Sequence, residues 1–80
     1  MNTTKFNLYK KASTGAMQIW SIFVRDWDLI IQYGQLHGAM QEQVEHIAAG
    51  KASRTRRDQI VSRMQSRINK QRDKGYKSTI

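Results

Sequence analysis

The sequence of 80 residues contains no cysteine, no proline and no long apolar run. Without cysteine the chain can form neither a disulfide framework nor a Cys-ligated zinc site. Its two histidines, His37 and His46, lack the paired spacing of metal ligands, so we expect no metal and no cofactor. No segment approaches the ~18 apolar residues of a membrane span, and the N-terminus lacks the apolar stretch of a signal peptide. These absences favour a soluble, intracellular protein.

Acidic residues are also scarce, and the charges are distributed unevenly. Six acidic residues stand against fourteen basic ones, which gives a net charge of +8. The first fifty residues hold four of each sign, whereas the last thirty hold ten basic and two acidic residues. The whole net charge therefore lies in the last thirty residues. Such a distribution predicts a polyanionic partner, with nucleic acid ahead of an acidic membrane.

The first 48 residues predict four β-strands, which we place at residues 5–11, 17–25, 29–34 and 41–48. The second of these strands is apolar on both faces, a pattern typical of the centre of a sheet. We therefore expect a central strand in which Trp20 is buried.

A tight hairpin is predicted at Asp26-Trp27-Asp28, between the second and third strands. Trp27 is there either an exposed stacking residue or a lid on the core, and the pattern favours neither. In the fourth strand, Val44, His46 and Ala48 alternate with glutamates.

The remainder of the chain predicts one long helix, at about residues 53–74. Ser53 or Thr55 can cap it, and Thr55-x-x-Asp58 has the form of a capping box. Gly75 stands where a helix-ending glycine belongs. We therefore expect an α+β fold, a single domain in which a small antiparallel sheet of about four strands packs against one long C-terminal helix.

An apolar stripe on this helix is predicted to dock on the sheet. Ile60, Val61, Met64 and Ile68 fall within a sector of about 100° on the helical wheel, which is wide enough for such packing.

Basic residues line one flank of that stripe, within about 60° of one another on the helical wheel. They are Arg56, Arg63, Arg67, Lys70 and Lys74. Like charges at these spacings repel one another, and only Asp58 and Asp73 are expected nearby to compensate. A guanidinium fork suits phosphate oxygens, so we interpret the stripe as a phosphate track; a solvated cationic face is the alternative.

Further basic residues can extend this surface. Lys51, Arg54 and Arg57 are expected to assist at the start of the helix, although Arg57 can instead lie over the edge of the sheet. Lys10 and Lys11, at the end of a strand, can widen the footprint.

Residues 33–41, YGQLHGAMQ, place an aromatic ring, two glycines and two glutamines at the end of a strand. Tyr33 can stack on a sugar or a base, and Gln35 and Gln41 can bond phosphate or base edges. Tyr33 is equally well interpreted as a core or edge aromatic.

The whole pattern resembles the WGR domain, over residues 6–76. The resemblance is carried by LYKK, a turn that contains glycine, MQIW, IIQYGQLHGAMQ and a basic helix that closes on KGY. Tyr33-Gly34-Gln35 occupies the place of the Trp-Gly-Arg signature, and Trp20 matches a structural strand tryptophan. Tyrosine thus replaces the signature Trp and glutamine the signature Arg, while His37 stands where the family usually has glycine.

The aromatic-Gly-Gln-Leu form is most similar to a WGR-like module at the N-terminus of phage-type ATP-dependent DNA ligases. There the module precedes the catalytic core and helps to hold DNA during repair and replication. The resemblance implies a monomeric, non-catalytic DNA-binding domain in the cytoplasm of a bacterium or a phage-infected host. It would contact duplex, nicked or end DNA through the backbone, with little sequence preference.

Other functions are weighed by what the chain contains. Ligase chemistry needs a nucleophilic lysine in a Lys-x-Asp-Gly context, and the sequence lacks that motif. It also shows no paired carboxylates, no Ser/His/Asp set and no Cys/His set. We therefore expect that these residues alone are not an enzyme. The main alternative is a protein-interaction module or phage inhibitor that docks its basic helix on an acidic partner. A membrane partner is disfavoured because four apolar residues are too few for insertion. The final KSTI lacks any predicted structure and favours a natural chain that continues.

Overall fold

Four antiparallel strands and one helix form the fold in the computed structural model, which describes residues 2–48 and 55–79. The elements are β1 (Phe6–Lys11), β2 (Met17–Arg25), β3 (Asp28–Gln35), β4 (Met40–His46) and α1 (Arg56–Asp73). The strand order is β1-β2-β3-β4, so each strand pairs with its neighbour in sequence. The predicted α+β class, with a four-stranded antiparallel sheet and a C-terminal helix, is confirmed. Among the described residues, no helix is long and apolar enough to cross a membrane.

The core lies between the sheet and α1. Trp20 sits on β2, between Leu8 of β1 and Tyr33 of β3, and its side chain is 5% exposed. The prediction of a central second strand with a buried tryptophan is therefore confirmed. The other buried members of the core cluster are Leu8, Ile22, Val24, Leu29, Ile31, Ile47, Ile60 and Ile68.

The ends of α1 follow the capping signals in the sequence. The Thr55 hydroxyl accepts a hydrogen bond from the Asp58 backbone N–H at 3.1 Å, which satisfies one N–H of the first turn. At the other end Gly75 takes a positive φ of 99°, and the N–H groups of Gly75 and Tyr76 bond back to Arg72 and Gln71. Thr55 and Gly75 are thus confirmed as capping residues, whereas Ser53 lies outside the described residues.

The apolar stripe of α1 is narrower than predicted. Ile60 and Ile68 are buried and Met64 is half-buried, but Val61 is 47% exposed. Arg67 and Gln71 are also half-buried, so the buried side of the helix is centred closer to β4 than the four apolar residues suggested. Val61 falls outside it for that reason, and its assignment to the stripe is wrong.

The segment after α1 returns to the sheet. Lys77 exchanges two backbone hydrogen bonds with Tyr9, at 2.7 and 2.8 Å, along the outer edge of β1. The expectation that KSTI has no structure is therefore wrong at Lys77, because the turn at Gly75 brings the chain back against an unpaired strand edge.

Candidate functional site

The arginines on one flank of α1 bind a carboxylate of β4. Arg63 Nη1 and Arg67 Nη2 donate to the two carboxylate oxygens of Glu45, at 2.8 Å each. Glu45 faces the helix because it lies opposite Leu29, a core residue. The expectation that only Asp58 and Asp73 compensate the stripe is therefore wrong.

Arg56 fastens the start of α1 to the same side of the sheet. Its Nε donates to the carbonyl of Ile47 at 2.8 Å, and its guanidinium lies 4.8 Å from the centre of the Trp27 ring. Arg56 Nη2 is also 3.2 Å from His46 Nε2, and the other ring nitrogen of His46 is 2.8 Å from Asp28. We call Arg56, Arg63 and Arg67 the arginine flank. Each of its members is held by a contact within the chain.

Trp27 is a lid on the core. Its ring is half-buried and packs against the core cluster on one side, with Arg56 on the other. Of the two interpretations left open by the sequence, the structure therefore favours the lid.

The other predicted phosphate ligands on the helix are differently placed. Lys70 is exposed in the last turn of α1, Lys74 is exposed at its C-cap, and Arg57 is exposed in its first turn. Lys51 and Arg54 lie outside the described residues.

A second basic cluster forms where β1 and α1 both end. The Lys10 ammonium donates to the carbonyl of Lys74 at 2.7 Å and lies 5.8 Å from the centre of the Tyr76 ring. Lys11 closes β1 beside it, and Lys77 pairs with Tyr9 along the strand edge. We call Lys10, Lys11, Lys74 and Lys77 the lysine end. Part of its charge complements the negative end of the helix dipole, which the Lys10 hydrogen bond shows directly.

An open cavity of about 620 Å³ lies at the lysine end. It is lined by Tyr9, Lys10, Lys11, Gly15, Met17, Gly75, Lys77 and Thr79. None of these residues is acidic, and Asp73 instead lines a shallow surface on the outer side of the helix. The arrangement suits an anion, because three lysines line this space and none of the described residues that line it is acidic.

Lys77 is the member of this cluster that sequence reasoning missed as a ligand. Lys10 and Lys11 were expected only to widen a footprint centred on the helix. The available signal was Gly75: a helix-ending glycine reverses the chain, so a residue two positions later can return to the sheet.

The YGQLHGAMQ run forms the end of β3, a tight turn and the start of β4. A Cβ on Gly34 would collide with the carbonyl oxygen of Ala39, so only glycine fits there. His37 adopts a φ of 64°, the left-handed conformation that glycine favours. The turn therefore has the backbone of a glycine-bearing loop although a histidine occupies it.

Tyr33 is both a packing residue and a partly accessible one. Its ring is half-buried against the core cluster, and its hydroxyl donates to Gln41 Oε1 at 2.8 Å. Gln41 is thus engaged within the chain, whereas Gln35 is exposed at the end of β3. Beside Tyr33, between β4 and α1, is a groove of about 230 Å³ lined by Trp20, Ile31, Tyr33, Gln43, Arg67, Gln71 and Tyr76.

Comparison of the chain with protein-family models, with curated proteins and with solved structures found no significant match.

Proposed function

We propose that this chain is a non-catalytic DNA-binding domain that holds the phosphate backbone at its lysine end. The observation that carries the proposal is the cavity at that end, whose lining includes Lys10, Lys11 and Lys77 and no acidic residue. Lys74, at the C-cap of α1, and Lys70, in its last turn, extend the positive charge from this cavity. The arginine flank contributes less, because the Glu45 carboxylate already neutralises part of the charge of Arg63 and Arg67.

Little sequence preference is expected of such a surface. Ammonium groups on flexible side chains contact phosphate oxygens, and those contacts carry no direct sequence information. The turn after β3 lies at the same end of the sheet, since Gln35 pairs with Gln18 and Leu36 bonds to Met17. Gln35 and Tyr33 are therefore near enough to add contacts to the same DNA.

The experiment that tests this proposal is a salt titration of duplex binding. If Lys11, Lys74 and Lys77 each neutralise one phosphate, log Kobs against log salt concentration should have a slope of about −3. The double variant Lys11→Gln/Lys77→Gln should bind more weakly, and its slope should be shallower by about 2.

The matched control removes the same charge at the opposite end of the molecule. Arg25 closes β2 at the hairpin and Arg57 lies in the first turn of α1, and both are exposed. Arg25→Gln/Arg57→Gln should keep nearly the parental slope. An equal loss in the two double variants would show that net charge, rather than the lysine end, governs binding, and would overturn the proposal.

The resemblance to ligase modules extends the proposal to a larger context. In it, this domain is the N-terminal accessory part of an ATP-dependent DNA ligase, in the cytoplasm of a bacterium or a phage-infected host. It holds DNA while a catalytic core in the same chain seals the nick. A Lys-x-Asp-Gly motif encoded within the following part of the gene would support this context, and a gene that ends at Ile80 would remove it.

An acidic protein partner is the competing function. Arg63 and Arg67 form ion pairs with the carboxylate of Glu45, so the arginine flank is able to bind acidic side chains. Competition with polyglutamate separates the two functions, because a duplex displaced by equal charge concentrations of polyglutamate would favour the acidic partner over DNA.

A further inference from the structure

The sheet face opposite α1 has no second layer over it among the described residues. β-strand alternation and pairing place on this face the side chains of Tyr9, Ile19, Phe23, Ile30, Val44 and Met40. Val44 is 54% exposed and Met40 45% exposed, Tyr9, Ile19 and Phe23 are half-buried, and Ile30 is fully buried beneath its neighbours. Exposed and half-buried apolar side chains grouped on one face of a sheet are typical of a binding surface. We call it the open face.

Two apolar rows on the open face are separated by a polar row. Tyr9 pairs with Ile19 in one row, and Phe23 pairs with Ile30 in the other. Between them the Ser21 hydroxyl donates to Asn7 Oδ1 at 2.6 Å, which leaves the Asn7 amide N–H groups directed elsewhere.

The next pair of the polar row is also oriented. Gln32 Nε2 donates to Glu42 Oε1 at 2.9 Å, so the Gln32 carbonyl oxygen keeps its acceptor capacity. Rings that alternate with oriented amides match what unpaired nucleotides need, which is a stacking surface and hydrogen-bonding groups for base edges.

Positive charge accompanies the rings. The Lys5 ammonium lies 5.6 Å from the centre of the Phe23 ring, and Lys11 follows Tyr9 on the same face of β1. Tyr9 also lines the cavity at the lysine end. The open face is therefore continuous with the cavity at the lysine end.

We propose that the open face binds unpaired nucleotides of a DNA strand, with bases stacked on Tyr9 and Phe23. Ile19, the partner of Tyr9, and Phe23 are four residues apart on β2, about 13 Å along an extended strand, so the rings serve different nucleotides. The inference rests on the proposed function, since the lysine end supplies the adjoining phosphate contacts. A second copy of the chain fits this face less well, because burial would remove from water the Lys5 ammonium, the Asn7 amide N–H groups and the Gln32 carbonyl oxygen.

The test compares a blunt duplex with the same duplex carrying a single-stranded oligothymidine overhang. The parent should bind the overhang form more tightly. The double variant Tyr9→Leu/Phe23→Leu keeps the apolar bulk but removes both rings. Its affinity for the overhang duplex should fall by about tenfold for each ring, whereas its affinity for the blunt duplex should stay unchanged.

Control variants separate stacking from folding. Phe6→Leu removes a ring from the helix-facing side of β1, where Phe6 packs on the core, and should keep the overhang gain. Phe23→Tyr keeps the aromatic ring and should also keep the higher affinity for the overhang duplex. The melting temperature is measured for every variant. A gain lost equally in Phe6→Leu, or in Phe23→Tyr, would overturn the inference.

Two further outcomes decide between the proposals. A parent that binds the blunt duplex but gains nothing from the overhang would overturn this inference alone, whereas absence of all DNA binding would overturn the proposed function. A concentration-dependent dimer in sedimentation that Val44→Lys abolishes would assign the open face to a second copy and would also overturn the inference.

Discussion

The arginine flank and the lysine end are both positively charged, but they differ in how far contacts within the chain already engage that charge. On the arginine flank, each guanidinium is bound within the chain: Arg63 and Arg67 to Glu45, and Arg56 to a backbone carbonyl and the Trp27 ring. At the lysine end, three lysines and two glycines are among the described residues that line the cavity, and none of those residues is acidic. One region therefore uses its positive charge to fasten α1 to β4, and the other presents it to solvent.

This difference teaches that a count of charges on a helical wheel does not locate a binding surface. Glu45 lies 18 residues before Arg63 and 22 before Arg67, so no wheel drawn on the helix includes it. The side chains of these ion pairs are 30–56% exposed, and ion pairs in contact with solvent contribute about 0.2–1 kcal/mol each. Their main consequence is that they reduce the positive charge this flank can offer to a phosphate.

The largest effect is expected from the core on which both regions rest. Trp20 is 5% exposed and contacts the cluster that joins the sheet to α1. Trp20→Ala should lower the free energy of unfolding by about 3–5 kcal/mol, which is enough to unfold so small a domain. Urea denaturation followed by circular dichroism measures this, and both regions should then lose DNA binding together.

Val44→Ala provides the control for Trp20→Ala. Val44 lies on the neighbouring part of the sheet but is 54% exposed, so truncating it should change stability little. A Trp20→Ala variant as stable as Val44→Ala would contradict the placement of the core.

Tyr33 tests whether the groove beside the arginine flank contributes to DNA binding. Because the ring is half-buried and lines the groove with Arg67, Tyr33→Ala should lose both melting temperature and about 1–3 kcal/mol of affinity. Tyr33→Phe loses only the hydrogen bond to Gln41 and should bind nearly as well as the parent. Affinity and melting temperature are compared for the same preparations.

Two outcomes would restrict the role of Tyr33. An alanine variant that loses stability but keeps parental affinity would make the tyrosine a packing residue and leave DNA to the lysine end. A variant unchanged in both measurements would leave YGQLHGAMQ as a turn.

A change at Thr55 tests whether the N-terminus of α1 affects stability without affecting DNA binding at the lysine end. The Thr55 hydroxyl caps α1 one residue before Arg56, so Thr55→Ala should cost about 1 kcal/mol of stability. The lysine end lies at the opposite terminus of α1, and duplex affinity should stay at the parental level. Thr55→Ser, which keeps the capping oxygen, serves as the control. A fall in affinity as large as the fall in stability would contradict the separation of the two regions.

The fold could be predicted from the sequence because its signals are local. β2 carries apolar residues on both faces, Thr55 precedes Asp58 at capping distance, and Gly75 ends the helix, and each of these patterns acts within a few residues. The strand and helix bounds accordingly differ from the predicted ones by only a few residues.

The candidate site was less predictable because it depends on contacts between distant segments. The Glu45 ion pairs and the pairing of Lys77 with Tyr9 join residues from opposite parts of the chain. Val61 shows the same limit, since the direction in which α1 faces the sheet depends on how Arg67 and Gln71 pack near β4. The spacing of apolar residues along the helix does not determine how the helix is rotated about its own axis against the sheet.

The smallest effect, and the most direct test of the comparison, is expected from Glu45→Gln. Glutamine keeps the shape of the side chain, and its amide oxygen can still accept a hydrogen bond from one arginine, so removal of the charge should lower the free energy of unfolding by no more than about 1 kcal/mol. Arg63 and Arg67 then become available to phosphate, and affinity for unrelated duplexes should rise, with a salt slope steeper by up to about 2.

Glu42→Gln is the matched control, because it removes the same charge from the open face of β4 without releasing an arginine. If the two variants behave alike, the arginine flank does not touch DNA even when its arginines are released. If only Glu45→Gln steepens the slope, reversing the charge of Arg63 and Arg67 in that background should cancel the gain. The affinity should fall by a similar factor for every duplex sequence, because contacts to phosphate do not depend on the base sequence. The present division of roles would then be a consequence of one carboxylate: Glu45 keeps the arginines structural and leaves the lysine end to bind the backbone.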